Sequence, residues 1–269
     1  MTHLKSQRFQ TKFDGVINRI PFLGKLLTSI FGRLEYNMLE LFRYLDKLFH
    51  INTLNFVNRY IFKNRWGGRV LPLQINLEPE TKFLPSQEIL ELLSRSNVVG
   101  IGTCYCRDIQ RKQKSEPNCD HPVNTCIHLG YGKSLYEIPF KSANLEKVSK
   151  EKAKKLLEVC DQKGLVHQII YFPNPHYYYV ICNCCPCCCI TLSKFLKFGS
   201  PQIIKSNFIA ETKFEECKDC GVCEKWCHFG ARKLLNNKLE VNLTKCFGCG
   251  LCVRKCPKQA ILLQKKVNK

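Results

Sequence analysis

The sequence lacks an apolar run long enough to cross a membrane. Its longest segment without Lys, Arg, Asp or Glu spans residues 164–193 and is interrupted by Pro173, Pro175 and Pro186, so we expect no lipid-exposed helix there. The first fifteen residues also lack the uninterrupted apolar stretch that an export signal needs. We therefore expect a cytoplasmic protein, associated at most with the cytoplasmic face of a membrane.

Acidic residues are scarce. The 269-residue chain has 22 Asp+Glu against 42 Lys+Arg, a formal net charge of +20. This excess of positive charge favours acidic protein partners, whereas nucleic acid would gain only non-specific, salt-dependent affinity from it and is a weak alternative. With 45% hydrophobic and 11% aromatic residues, the composition excludes a disordered or collagen-like chain.

Cysteine is absent from the first 103 residues and crowded in the rest. Of the 19 cysteines, six lie between Cys182 and Cys189, and eight form two regular runs that begin at Cys217 and Cys246. Such crowding fits soft metal ions better than disulfides, whose geometry allows only a narrow range of Cα separations. The pattern therefore predicts a metalloprotein of a reducing compartment and excludes a small secreted disulfide scaffold.

Both runs have the spacing C-x-x-C-x-x-C-x-x-x-C. This is the pattern of bacterial two-cluster ferredoxins, in which the fourth cysteine of each run binds the other cluster. We therefore predict two [4Fe-4S] clusters. Cluster one takes Cys217, Cys220, Cys223 and Cys256, and cluster two takes Cys246, Cys249, Cys252 and Cys227.

An internal repeat supports this interpretation. The runs are offset by 29 residues, and the offset also aligns Gly221 with Gly250 and Ala231 with Ala260. Zinc is the weaker alternative, because structural zinc sites usually use paired C-x-x-C knuckles. One departure is His228, which follows Cys227 where the ferredoxin pattern has proline, so the turn at this position is in doubt.

Ten further cysteines form a candidate third site for an iron–sulfur cluster or a zinc ion. Adjacent side chains point in different directions, so all ten cannot reach one metal, and the spacing does not select the ligands. The alternative is a set of buried thiols, which we expect for the isolated Cys160. Arg107 either balances thiolate charge or lies on the surface. The ten are Cys104, Cys106, Cys119, Cys126, Cys182, Cys184, Cys185, Cys187, Cys188 and Cys189.

The elements suggest an α+β fold in three parts. Residues 1–70 form a basic region in which apolar residues between Phe31 and Phe49 recur with helical period; this face packs on its own domain or on an anionic membrane. Residues 71–205 form a mixed cysteine-rich domain. Residues 206–269 form a ferredoxin-like domain, with short strands and two small helices after the cysteine runs.

Within the middle domain, the sequence predicts a helix capped by Ser86, a strand at 98–101 and a helix from Ser149 to about Gln162, ended by Gly164. Pro122 suits a first helical position, and Cys119 and Cys126 are separated by two helical turns. Strands at 165–172 and 177–182 suggest a hairpin, so helix and hairpin together have the outline of a winged-helix unit.

The order of motifs resembles a family of dicluster four-iron four-sulfur proteins from anaerobic microbes. The resemblance covers about residues 70–265 and implies an electron-carrying module with an upstream cysteine-rich domain of unassigned role. The motifs that carry it are Cys-x-Cys-Arg at 104–107, Cys-Asp-His-Pro at 119–122, Ser-Lys-Glu-Lys-Ala at 149–153, Gly-Leu-Val-His at 164–167, Cys-Asn-Cys-Cys-x-Cys-Cys-Cys at 182–189 and Ser-Asn-Phe-x-Ala at 206–210.

Three functions are compatible with these features. The leading prediction is an intracellular electron-transfer protein that passes single electrons between redox partners through its two clusters. The second is an oxidoreductase, or a subunit of one, with a further metal centre among the upstream cysteines. The third is a redox-sensing nucleic-acid-binding protein, suggested by the net charge and the helix–hairpin outline.

Overall fold

A computed structural model describes residues 36–49, 53–60, 67–72, 89, 92–94, 96, 98–113, 119–130, 145–171, 178–199 and 203–266. The helices are α1 (36–49), α2 (Thr53–Tyr60), α3 (Tyr105–Lys112), α4 (Lys150–Gln162), α5 (Ile190–Phe198), α6 (Val222–Lys225) and α7 (Leu251–Lys255), with a 3₁₀ turn at Leu243–Lys245. The strands are β1 (Gly67–Leu71), β2 (Val98–Thr103), β3 (Asn124–Gly130), β4 (Glu146–Val148), β5 (Val166–Tyr171), β6 (Tyr178–Cys184), β7 (Ile203–Ile204), β8 (Phe208–Thr212), β9 (Arg232–Leu235), β10 (Lys238–Val241) and β11 (Ile261–Lys265).

A seven-stranded sheet forms the middle of the molecule. Its order is β4-β2-β3-β6-β5-β1-β7, and all neighbours are antiparallel except β1 and β7. Helix α4 packs on one face, where Ala153 and Leu157 contact the apolar residues of β2, β3 and β6. The prediction of a mixed α+β fold is confirmed.

Most predicted elements of the middle domain are present. Strand β2 covers the predicted 98–101 segment, and α4 begins after Ser149, whose side chain accepts a hydrogen bond from the Lys152 amide. Gly164 ends α4 with a φ of 74°, which glycine adopts without a Cβ penalty. The cap predicted at Ser86 lies outside the described residues.

Two expectations for this domain are wrong. The segment after Pro122 is not helical, because residues 124–130 form β3, which pairs with both β2 and β6. The predicted hairpin strands do pair with each other as β5 and β6, but they are interior strands. Since β5 also pairs with β1, and β6 with β3, neither strand projects as a wing, and the shape argument for nucleic-acid binding is lost.

Helix α1 buries only part of the face that its periodicity predicts. Phe42 is buried against Ile109 and Ile190 together with Leu39, and Met38 packs beside them, whereas Leu41, Leu48 and Phe49 are 52%, 54% and 60% exposed. Polar contacts fix this orientation.

The polar contacts of α1 involve Asp46 and Arg43. Asp46 forms an ion pair with Lys194 at 2.6 Å, and Arg43 donates to the Cys188 carbonyl. No helix in the described part of the chain is long and apolar enough to span a membrane, and contact of residues 1–70 with a membrane surface stays a prediction.

The C-terminal part consists of two strand pairs, β8–β11 and β9–β10, around the cysteine runs. Its two small helices, α6 and α7, begin inside the runs rather than after them. Each starts at a left-handed glycine, Gly221 with φ of 69° and Gly250 with φ of 81°. The repeat seen in the sequence is therefore a repeat of one backbone turn.

Candidate iron–sulfur and metal centres

The four cysteines predicted for cluster one line a single pocket. Cys217 and Cys220 approach it from the loop before α6, Cys223 from the first turn of α6, and Cys256 from the end of α7. Cys220 is exposed and Cys223 is buried, so the pocket has one side towards solvent. Lys218 and Lys258 lie at its rim. A thiolate-bound group fits this site.

The four cysteines predicted for cluster two lie deeper. Burial, with the neighbouring thiols of Cys227 and Cys246, raises the pKa of Cys252 to about 12 against the lowering effect of Arg232. Burial likewise raises the pKa of Cys249, with contributions from Cys252, Cys227 and Cys246. The fold therefore gathers three cysteines of the second run with the fourth cysteine of the first.

Backbone amides donate hydrogen bonds to two thiols of the second group. The amides of Ala210 and Gly248 donate to Cys246 Sγ at 3.5 and 3.4 Å, and the Ala231 amide donates to Cys227 Sγ at 3.2 Å. Such hydrogen bonds stabilise thiolate charge and are one means of setting the potential of an iron–sulfur cluster.

Arg232 is a buried cation between the two groups of cysteines. It donates to Thr212 Oγ1 and to the Ala210 carbonyl, both at 2.7 Å. Burial would lower its pKa, but the thiols of Cys252 and Cys223 outweigh this and raise it. In the 29-residue repeat, Ile261 is the position equivalent to Arg232, so this cation occurs in one half of the repeat only.

His228 has a structural role that explains its departure from the ferredoxin pattern. Its Nε2 lies 2.9 Å from the Gly164 carbonyl of the middle domain. Two cations on α7 reinforce this contact: Arg254 pairs with the buried Asp161 at 2.9 Å, and Lys255 Nζ donates to the Gln162 carbonyl at 2.7 Å. The ferredoxin-like part is thus docked on the end of α4.

The upstream cysteines separate into two groups because of the local backbone. Cys182 and Cys184 alternate along β6 and share one face, since side chains of a strand repeat every two residues. Residues 186–188 form a turn, and Cys189 caps α5. The turn directs Cys185, Cys187 and Cys188 away from the face of β6 that Cys182 and Cys184 share. The sequence showed that the cysteines must diverge, but not which would remain together.

Six thiols form a closed ring, which we call the six-thiol ring: Cys104, Cys106, Cys126, Cys182, Cys184 and Cys189. Hydrogen bonds connect Cys104 to Cys106 and Cys126, Cys182 to Cys126 and Cys184, and Cys189 to Cys106 and Cys184. These bonds raise the pKa of Cys104 and lower that of Cys106.

The other four thiols form a tighter group, the four-thiol site: Cys119, Cys185, Cys187 and Cys188. Their sulfur atoms all lie within 4.8 Å of one another. Two of the distances are 3.9 Å, from Cys119 to Cys185, and 3.7 Å, from Cys187 to Cys188. Among the described residues, no other group of three or more His, Cys, Asp or Glu side chains is gathered this closely.

Arg107 is fully buried between the two groups. It donates to the Pro122 carbonyl, to Thr125 Oγ1 at 3.0 Å and to the Asn183 carbonyl at 3.0 Å. Burial would lower its pKa, but the thiols of Cys104 and Cys185 raise it. Of the two roles expected for this residue, the structure agrees with balancing thiolate charge, because no part of its side chain is on the surface.

Cys160 belongs to neither group as a ligand. It is fully buried in α4, and burial raises its pKa to about 12, so its thiol stays neutral. The expectation of a buried thiol at this position is confirmed.

An apolar core joins the middle and ferredoxin-like parts next to these thiols. It contains Cys184 and Cys189 of the six-thiol ring, and Cys249 packs against it from the other side. The rings of Phe229 and Phe247 stack within it at 4.2 Å. Sequence reasoning missed this juxtaposition, because no spacing along the chain relates residue 189 to residue 249.

Comparison with known proteins identifies one family. Residues 239–262 match the family of 4Fe-4S binding domains, a segment that contains Cys246, Cys249, Cys252 and Cys256. No curated protein and no solved structure gives a significant match to the chain. The chain therefore has an iron–sulfur, ferredoxin-type domain at residues 239–262, with capacity for at least one [4Fe-4S] cluster.

Proposed function

We propose that the protein transfers single electrons through two [4Fe-4S] clusters. A bound [4Fe-4S] cluster supplies one-electron oxidation and reduction. The observation that carries the proposal is the gathering of eight cysteines into two groups, each of which takes three thiols from one run and the fourth from the other. This is the ligand exchange expected of a two-cluster ferredoxin.

The surroundings of the two groups suggest a direction for electron entry. Cys220 is exposed in the first group, and Lys218 and Lys258 lie at the same pocket. Two cations beside an accessible thiol favour an acidic redox partner at this side. Cys249 of the second group instead packs against the core shared with the middle domain, so electrons that enter near Cys220 leave towards the middle domain.

The proposal is tested on anaerobically purified full-length protein by iron and sulfide analysis and by EPR after reduction. We expect at least eight irons and eight sulfides per chain, as two cubanes require, and an EPR signal of reduced clusters. Cys256→Ser removes a ligand of the first group and lowers the iron content, whereas Cys160→Ser leaves it unchanged. Protein that holds only about four irons or fewer per chain, enough for one cubane at most, or gives no EPR signal when reduced, contradicts the proposal.

The position of Arg232 leads to a prediction about reduction potentials. Removing a buried positive charge disfavours the more negative, reduced state, so Arg232→Met is expected to lower the potentials by about 40–100 mV, or about 1–2 kcal/mol for one electron. EPR-monitored redox titration measures the shift. Lys233→Met removes the same charge from the next, exposed position, where solvent screens it. Equal shifts in both variants would show that Arg232 has no special effect.

A second function, oxidoreductase chemistry in the middle domain, is favoured by the six-thiol ring. Six thiols exceed the needs of one ion, and they adjoin the core that contacts Cys249. We expect iron beyond eight per chain, to about twelve or more, if the ring holds a cluster. This excess must disappear in the Cys126→Ser/Cys182→Ser double variant. A count of eight in the native protein leaves electron transfer as the only function supported.

A further inference from the structure

We propose that the four-thiol site, formed by Cys119, Cys185, Cys187 and Cys188, binds one tetrahedral zinc ion that is separate from every iron–sulfur site of the chain. The ten upstream cysteines then belong to two separate groups, the four-thiol site and the six-thiol ring. Zinc binding at the four-thiol site does not require a cluster in the six-thiol ring.

The distances carry the assignment. A zinc–thiolate bond is about 2.3 Å long, and a regular tetrahedron of such bonds places its sulfur atoms about 3.8 Å apart. In the four-thiol site, the sulfur atoms of Cys119 and Cys185 are 3.9 Å apart and those of Cys187 and Cys188 are 3.7 Å apart, and all four sulfur atoms lie within 4.8 Å of one another. A disulfide would require about 2.05 Å, and all four cysteines are free.

The same distances argue against a cubane at this site. A cubane binds each ligand through a different iron, so its four ligand sulfurs lie farther apart than the ligands of a single ion. The ferredoxin-type cysteines are consistent with this contrast, because within the described part of the chain they form no group as tight as the four-thiol site.

The ligands are held by elements on both sides. Arg111 of α3 donates to the carbonyls of Cys119 and His121 at 2.8 and 2.6 Å, which fixes the loop that carries Cys119. The amide of Cys189 donates to the Cys185 carbonyl at 3.2 Å, so the turn with the other three ligands is closed by the start of α5. Hydrogen bonds from the rest of the fold therefore hold both ligand-bearing segments of the site.

Charge and solvent access also fit a closed structural site. Four thiolates around a divalent ion leave a net charge of −2, and Arg107 provides a buried positive charge beside Cys185. Cys185 and Cys188 are buried and pack with Leu165 and Cys160. The site offers four protein ligands and no open position, as in structural rather than catalytic zinc sites.

The test measures zinc and iron together in the full-length protein. We expect about one zinc per chain, lost in the Cys119→Ser/Cys187→Ser double variant without a change in iron. Cys160→Ser is the matched control, because it removes a buried thiol from the same apolar cluster and should retain the zinc. A native protein without zinc, or a double variant that keeps zinc or loses iron instead, overturns the proposal.

A second measurement does not depend on the variants being folded. Zinc-edge X-ray absorption of the native protein should show four sulfur neighbours at about 2.3 Å. A shell that contains nitrogen or oxygen, or a mononuclear iron in place of zinc, overturns the assignment. Failure of the electron-transfer proposal would instead appear in the iron count and the EPR signal, so the two failures are distinguishable.

Discussion

Replacing Arg107 with Met is expected to destabilise the middle domain by about 3–5 kcal/mol, the usual cost of removing one partner from a buried charged network. The side chain is completely buried and satisfies the Pro122 carbonyl, Thr125 and the Asn183 carbonyl. Met fills much of the same volume but donates nothing, so these acceptors lose their donor and the neighbouring thiolates lose their nearest buried cation.

The measurement is the apparent midpoint of thermal unfolding at a fixed scan rate, because loss of metal makes unfolding irreversible. We expect the midpoint of Arg107→Met to fall by roughly 6–20 °C. Lys112→Met is the control: it removes a positive charge from the same helix, but its side chain is 60% exposed, and its ion pair with Asp108 and hydrogen bond to Tyr36 lie at the surface, so a small change is expected. Equal midpoints for the two variants would refute the role given to Arg107.

Replacing Gly164 with Ala is expected to disturb the contact between the middle and ferredoxin-like parts. A Cβ at this position would lie 2.3 Å from the ring of Trp226, and φ is 74°, which costs an alanine about 1–2 kcal/mol. Displacing the indole adds about 1–3 kcal/mol of overpacking. The expected total is therefore about 2–5 kcal/mol.

Gly199→Ala is the matched control, because Gly199 has a φ of 65° but nothing within 4 Å of an added Cβ. It reports backbone strain alone, so the difference between the two variants isolates the collision with Trp226. Thermal midpoints measure this difference, and hydrogen exchange at residues 163–165 and 226–229 locates it. If Gly164→Ala loses no more stability than Gly199→Ala, the indole is not a fixed part of the contact.

The iron–sulfur part of the molecule is readable from the sequence because its ligands are local. Three thiols of each group lie within seven residues, and the turns between them are set by glycine, as at Gly221 and Gly250. Helix α4 is equally local, with a serine cap and a glycine stop. In these segments, the residues that determine the structure are close together in the chain.

The predictions that failed, and the features that the sequence did not predict, depend instead on contacts between residues that are far apart in the chain. Residues 124–130 form a strand because β2 and β6 flank them, not because of their own spacing around Pro122. Helix α1 buries Leu39 rather than Leu41 because Asp46 is paired with Lys194 of a distant helix. The two groups of upstream thiols likewise depend on tertiary packing, as Cys119 reaches Cys185 across 66 residues.

The exchange of fourth ligands between the two runs also sets the order in which the two ligand sets are completed during synthesis. In the proposed assignment, the second group takes Cys227, Cys246, Cys249 and Cys252, and its ligands are complete once residue 252 has left the ribosome. The first group must wait for Cys256, although its other three thiols appear some thirty residues earlier. A ribosome that stalls before residue 256 would thus present three thiolates at Cys217, Cys220 and Cys223 without their fourth, so the solvent-facing site is the later of the two to have its full set of ligands.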